Sequence, residues 1–210
     1  MTHYALIHYV FMHYVLNHVP LPLRYLRFAP HTGTTWMQEV VPLIVSEGDL
    51  TPVLTVPNWD RVPWLEEHRA ILLNLEQRPS PRVFATHFHH HMMNESYFKT
   101  KPRVLYVMRN PKDVFTSSYH YYGMASYLVK PGTPDEFMEK FLDGKIMFGS
   151  WFDHVKSWIN AEEKESILYI FYEEMIAVSR TEHALLPFFP PHYLLILNLN
   201  EDLLLLQCKI

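Results

Sequence analysis

Between about Pro30 and Met175, short apolar runs alternate with amphipathic stretches, and the alternation predicts βαβ units around a parallel sheet. "TTWMQEVVPLIVSEG" sets Trp36, Val40, Leu43 and Ile44 near one helical face, with Gly33 ahead and Gly48 behind. A helix is expected there from about Thr34 to Ser46, kinked at Pro42. "PRVFATHF" and "PRVLYVMRN" are proline-led, β-rich runs ending in polar residues, as buried parallel strands do before ligand-binding loops. They place His87 and Arg109 at two strand ends. "PKDVFTSSYHYYGMASYL" reads as a helix opening with Pro111 and Asp113, and "TPDEFMEKFLDG" as one capped by Thr133 and closed by Gly144. "GSWFDHVKSWINAEE" spaces Trp151, Val155 and Trp158 helically, and "ESILYIFYEEM" is a further buried strand. The fold class expected is α/β.

The two ends do not share this pattern. A loose five-residue repeat sets histidines at positions 3, 8, 13 and 18, a spacing that fits neither helix nor strand. Pro20 and Pro22 argue against a central strand just before the first loop, leaving a shortened one from Tyr25 to Ala29. Beyond Met175 the signals fade, and "LLPFFPPHYLLILNLNEDLLLLQCKI" carries apolar bulk without a readable period or caps. One domain is expected over residues 1–210, with a regular core at about 30–176 and atypical segments at 1–24 and 179–210. Loss of pattern at both ends suggests a truncated or divergent form, with a fold incomplete at its C-terminal end.

Composition narrows the partners. An apolar content of 49% over 210 residues suits one substantial core. A formal net charge of −4 and a pI near 6.4 argue against bulk attraction to nucleic acid or acidic membranes, so any anion site must be local. The lone Cys208 cannot form an internal disulfide, and the N-terminus lacks a basic region followed by a small-residue cleavage site, which makes the cytoplasm the expected compartment. No window offers roughly 18 uninterrupted apolar residues, so no membrane span is expected.

Three constellations carry chemistry. In "FAPHTGTTWMQEV" a glycine and hydroxyl residues at a strand-to-helix junction can aim N–H groups and hydroxyls at a phosphate, although an ordinary helix start reads the same way. It is not a Walker A loop, which needs a second glycine and a lysine. In "ATHFHHHMM", His87 at a strand's carboxyl end suits a general base that takes a proton from a hydroxyl or amine. A metal site is the competing reading, since His87, His89 and His91 would share a face in extended backbone. His89 to His91 are expected in a solvated loop. In "RNPKDVFTSSYHYY", Arg109 and Ser117 can point a planar donor fork and a hydroxyl toward one phosphate, with a plain salt bridge as the commoner arrangement.

Together and in this order, these pieces resemble the cytosolic sulfotransferases, which use 3′-phosphoadenosine 5′-phosphosulfate (PAPS) as sulfuryl donor. "PHTGTTWMQEVV" is similar to the family's P-K-S-G-T-T-W loop, "PNWDRVPWLE" to its R-x-P-[FW]-[LI]-E segment, and "RVFATHF" to the strand bearing its catalytic histidine. "VLYVMRNPKDVFTSSYHYY" resembles the R-N-[AP]-K-D-x-x-x-S element, and "FGSWFDHVKSW" and "ILYIFYEEM" resemble two later segments.

The resemblance implies a P-loop-type three-layer sandwich with a central parallel sheet. It implies that Thr32, Gly33, Thr34 and Thr35 cradle the 5′-phosphosulfate, that Trp36 stacks on adenine and Tyr172 reaches it, and that Arg109 and Ser117 bind the 3′-phosphate. His87 becomes the base in a transfer of the sulfuryl group to a hydroxyl or amine of a small acceptor, without metal or covalent intermediate. His31 stands where the family has lysine, and it is the second residue expected to bear on catalysis. A catalytically impaired chain that retains weak nucleotide binding is the alternative. No counterpart to the family's R-K-G-x-x-G-D-W-K element or its dimerisation segment follows Val178, so the family-type homodimer is not expected.

Overall fold

The computed structural model describes residues 23–28, 33–46, 48–100 and 102–179. Four strands, β1 (Leu23–Phe28), β2 (Arg82–Thr86), β3 (Arg103–Met108) and β4 (Ile167–Phe171), form one sheet in the order β2-β1-β3-β4. Every pairing is parallel, from Leu23 opposite Arg82 to Met108 opposite Phe171. All four carboxyl ends therefore open on one edge. From β1 the chain first passes to β2 on one side and then returns to β3 on the other, which makes the β1/β3 boundary a topological switch point.

The helices are α1 (Thr34–Val45), the short α2 (Thr51–Thr55), α3 (Asn58–Arg61) and α4 (Arg69–Leu72), then α5 (Glu95–Thr100), α6 (Pro111–Met124), α7 (Pro134–Leu142), α8 (Trp151–Ile159) and α9 (Tyr172–Ser179). Among the described residues, none is long and apolar enough to cross a membrane.

Period-two alternation along the strands builds the two faces. Phe84, Val104, Tyr106 and Ile167 point into a cluster with Tyr97 of α5 and Trp158 of α8. Val83, Ala85 and Val107 point the other way, against Met37 and Val41 of α1 and Met175 of α9. Adjacent residues of one strand thus serve opposite cores, and the result is helix, sheet, helix: the expected three-layer α/β sandwich. Trp158 is fully buried and its indole N–H donates to the Phe88 carbonyl at 3.0 Å, so the largest side chain of this core also fixes the chain just past β2.

Three expectations need correction. β1 is a full central strand that starts at Leu23, directly after Pro22, and ends at Phe28 rather than Ala29. Proline is excluded only from within the ladder, so Pro22 permits a central strand immediately beyond it. α6 stops at Met124, short of the expected run to Leu128, with extended backbone at Ala125. β4 ends at Phe171, and Tyr172–Met175, expected to belong to that strand, instead open a helix, α9, that continues to Ser179. α1 matches the expected span and continues for three residues beyond Pro42.

Candidate active site

The edge formed by the strands' carboxyl ends gathers the candidate residues. His87 follows β2, Gly33 lies between β1 and α1, Arg109 follows β3, and Tyr172 follows β4. Parallel sheets bind ligands at such an edge because backbone N–H groups and helix N-termini face it together.

Gly33 is in the left-handed region (φ 95°), where a Cβ is penalised, and it caps α1. A Cβ built there would meet the Tyr172 ring at 2.5 Å, so the absence of a side chain lets the ring's edge approach the backbone directly. Trp36 meets the same ring edge-on at a centroid distance of 6.1 Å, and the Arg109 guanidinium lies 4.3 Å above its centroid. Four candidates from three strand ends thereby form one contact group. A cation over a tyrosine face contributes about 0.5 to 2 kcal/mol. Trp36 and Tyr172 also pack on the core shared with α1 and α9, so their rings are held from beneath.

Asn110, next to Arg109, caps α6 by accepting from the Lys112 N–H, and its own N–H donates to the Glu173 carboxylate at 2.7 Å. The β3–α6 and β4–α9 junctions are thereby tied. Thr34 and Thr35 open α1, the former half-buried and the latter exposed. Ser117 sits half-buried in α6, while its neighbour Ser118 is buried and donates back to the Val114 carbonyl. His31 and Thr32 lie outside the described residues.

His87 is built into a separate pocket of aromatic rings. Its imidazole is stacked between Trp64, at 4.1 Å and 8° from parallel, and Phe148, at 4.3 Å and 23°. Nδ1 and the backbone N–H of His87 both donate to Oε1 of Glu66, at 2.6 and 2.9 Å. Trp64 and Glu66 arrive there because Trp64 bridges to Ala85 of β2: the Leu65 N–H donates to the Ala85 carbonyl, and the Ala85 N–H donates to the Pro63 carbonyl, each at 2.9 Å. That segment is fastened to α1 by Gln38, which donates to the Val62 carbonyl at 2.9 Å, and by Arg61 against both oxygens of Glu39 at 2.6 and 2.7 Å. One helix therefore starts at Gly33 and also anchors the residues around His87.

Phe148 has a left-handed backbone (φ 70°), unfavourable by about 1 to 2 kcal/mol for a residue with a Cβ. Its carbonyl accepts from His89 Nε2 at 3.1 Å, and the preceding Met147 N–H donates to the Tyr122 hydroxyl. Burial pulls the His89 pKa down; the bond to Phe148 and nearby Asp153 oppose this, and His91 adds to it.

The histidine run is not the solvated loop expected. A short turn at His90–Met92 replaces extended backbone, so His87 does not share a face with His89 and His91, whose rings lie 5.3 Å apart. His90 is partly buried and bonded to Glu163 at 2.7 Å, and only His91 is exposed. Among the described residues, no group of three His, Cys, Asp or Glu is placed to hold a metal ion.

Comparison with known proteins points to one family. The family model described as "Sulfotransferase domain" matches residues 29–182. The chain belongs to the sulfotransferase family. Mouse sulfotransferase 2B1 is 44% identical over 146 residues, which cover 70% of this chain and 43% of the relative. The 3-alpha-hydroxysteroid sulfotransferase of Cavia porcellus is 40% identical over 152 residues, 72% of this chain and 53% of the relative. The chain thus spans about half the length of these relatives. The solved structure of mouse sulfotransferase SULT7A1 complexed with PAP superposes with a TM-score of 0.65 at 28% identity, over 80% of this chain and 57% of that one.

Within this sulfotransferase-family chain, sequence reasoning assigned no role to Glu66, Trp64 or Phe148. "VPWLE" and "FGSW" were legible as segments, but contacts spanning 21 residues or more give no local period.

Proposed function

We propose that this chain transfers the sulfuryl group of PAPS to a hydroxyl of a small acceptor, with a hydroxysteroid as the first class to test. The observation that carries the reading is the single edge on which His87 and the Gly33, Trp36, Arg109 and Tyr172 group stand at the ends of all four parallel strands. Family membership supports the chemistry. The names of the relatives that act on hydroxysteroids support the acceptor class.

The donor fits the residues present: the Tyr172 ring sets an edge against a glycine that admits no Cβ, with a guanidinium over the ring's face. PAPS supplies an activated sulfur whose bond to the 5′-phosphate breaks as the acceptor oxygen bonds to it, the electron pair leaving on 3′,5′-ADP. Thr32, Gly33, Thr34 and Thr35 hold the 5′-phosphosulfate at the N-terminus of α1. Trp36 and Tyr172 hold the adenine, and Arg109 and Ser117 the 3′-phosphate. His87 Nε2 takes the acceptor's proton as its oxygen attacks. His31 stands in the sequence where the family has lysine, and its side chain is shorter. The proposed partners are small molecules, and the proposed compartment, by family likeness, is the cytoplasm.

Incubation with PAPS and a panel of hydroxysteroids, phenols and amines, read by mass spectrometry, tests this. A sulfated product that depends on His87 is expected. No product from any acceptor, together with no calorimetric binding of 3′,5′-ADP, overturns the reading.

A further inference from the structure

A carboxylate buried beside an imidazole calls for explanation. The Glu66 side chain is 5% exposed, and burying an ionised carboxylate costs several kcal/mol unless it is paired. Both bonds that His87 donates fall on Oε1, while Oε2 is buried without a hydrogen-bond partner among the described residues. If the contact served packing alone, a neutral amide would accept the same two bonds at lower desolvation cost. What the charge adds is response to a positive ring.

We propose that Glu66 is a positioning residue for His87. Its carboxylate receives the Nδ1–H, leaves the lone pair on Nε2, and stabilises the imidazolium formed when Nε2 takes the acceptor's proton. The proposal rests on the reading of His87 as the base. Its geometry stands without that reading, since the hydrogen bond to one ring nitrogen sets the tautomer at the other. Proton and charge balance: the acceptor O–H breaks, Nε2–H forms, and the ring carries one positive charge opposite one carboxylate.

The remaining contacts agree with a held ring. Trp64 and Phe148 stack on both faces and block rotation about the ring's bond to Cβ, so the imidazole cannot exchange its two nitrogens without parting the sandwich. The backbone is pinned as well: the Phe88 N–H donates to Thr86 Oγ1 at 3.1 Å, and the Phe88 carbonyl accepts from Trp158. Glu66 alone among these groups touches the ring's polar edge with a charge.

The test is long-range proton–nitrogen NMR on the full chain, with the His87 signals identified by their loss in His87→Gln. The wild type is expected to show His87 as the Nδ1–H tautomer, with Nε2 unprotonated. Glu66→Gln is expected to shift His87 toward a mixture, because an amide can accept from or donate to Nδ1. With PAPS and acceptor, Glu66→Gln should lower kcat by about 10²- to 10⁴-fold at nearly unchanged KM, as loss of an orienting carboxylate does in serine proteases. Glu66→Asp, which keeps the charge on a shorter arm, should recover part of it.

A wild-type His87 in the Nε2–H tautomer overturns the proposal, and that measurement does not depend on the Glu66 variants folding. Equal kcat in wild type and Glu66→Gln overturns it too. An Nδ1–H tautomer in a chain that sulfates nothing would sink the functional reading instead and leave the pairing standing.

Discussion

At the scale of single residues, Gly33 carries two constraints at once. Its left-handed backbone disfavours any Cβ by about 1 to 2 kcal/mol, and that Cβ would lie 2.5 Å from the Tyr172 ring. Gly33→Ala is therefore expected to displace Tyr172 and Arg109 together. Calorimetry should show weakened binding of 3′,5′-ADP, and the melting temperature should fall. Unchanged affinity would mean that the ring is not part of the nucleotide site. His31 makes the opposite kind of prediction. A preorganised cationic donor at such a loop is worth about 10²- to 10³-fold in rate, so His31→Lys should raise kcat toward that range, read by initial rates with PAPS. The helix start at Gly33 was legible in the sequence because its signals are local. The Glu66 contact was not, because it forms only when Trp64 bridges to Ala85 of β2 and brings Glu66 to His87.

At the scale of elements, α7 shows how far local sequence reaches. Thr133 was expected as its cap, and it is one: the Glu136 N–H donates to Thr133 Oγ1 at 3.3 Å and the Thr133 N–H donates to Glu136 at 2.8 Å, a reciprocal capping box. Thr133→Ala should destabilise the fold by about 1 kcal/mol, a fall of about 2 to 4 °C in melting temperature for a chain of this size. The bonds to the Thr133 backbone and hydroxyl hold the Glu136 carboxyl below its ordinary value of 4.5. A folded-state value below the unfolded one means that the unfolded chain binds more protons as pH falls. The stabilisation is therefore full above the usual carboxylate range and is lost as pH drops through the lowered value. Amide exchange in the first turn of α7 should differ between wild type and Glu136→Ala at pH 6, and the difference should shrink in acid. Equal differences at both pH values would exclude the Glu136 half of the box. β1 and α9 were harder to read: prolines beside β1 obscured a strand that tertiary pairing completes, and α9 relies on packing Met175 against α1 and the sheet more than on its own period.

At the scale of the whole molecule, the sheet converts four sequence-distant ends into one edge. The order β2-β1-β3-β4 was not legible from the pattern of apolar runs, which states how many strands exist but not which are neighbours. Once the order is set, His87, Gly33, Arg109 and Tyr172 must share an edge, because every strand points the same way. The two-sided alternation of Val104 to Met108 fixes the layers in turn, and α1 joins Gly33 to the segment that carries Trp64 and Glu66. The proposal that this edge transfers a sulfuryl group with His87 as base is tested most directly by the rate at which radiolabelled sulfuryl passes from PAPS to a hydroxysteroid, in wild type and in His87→Ala. Transfer by the wild type is expected, with a fall of about 10²- to 10⁴-fold in the variant and binding of 3′,5′-ADP retained in both. Equal rates in the two proteins, or no transfer by the wild type, would contradict it.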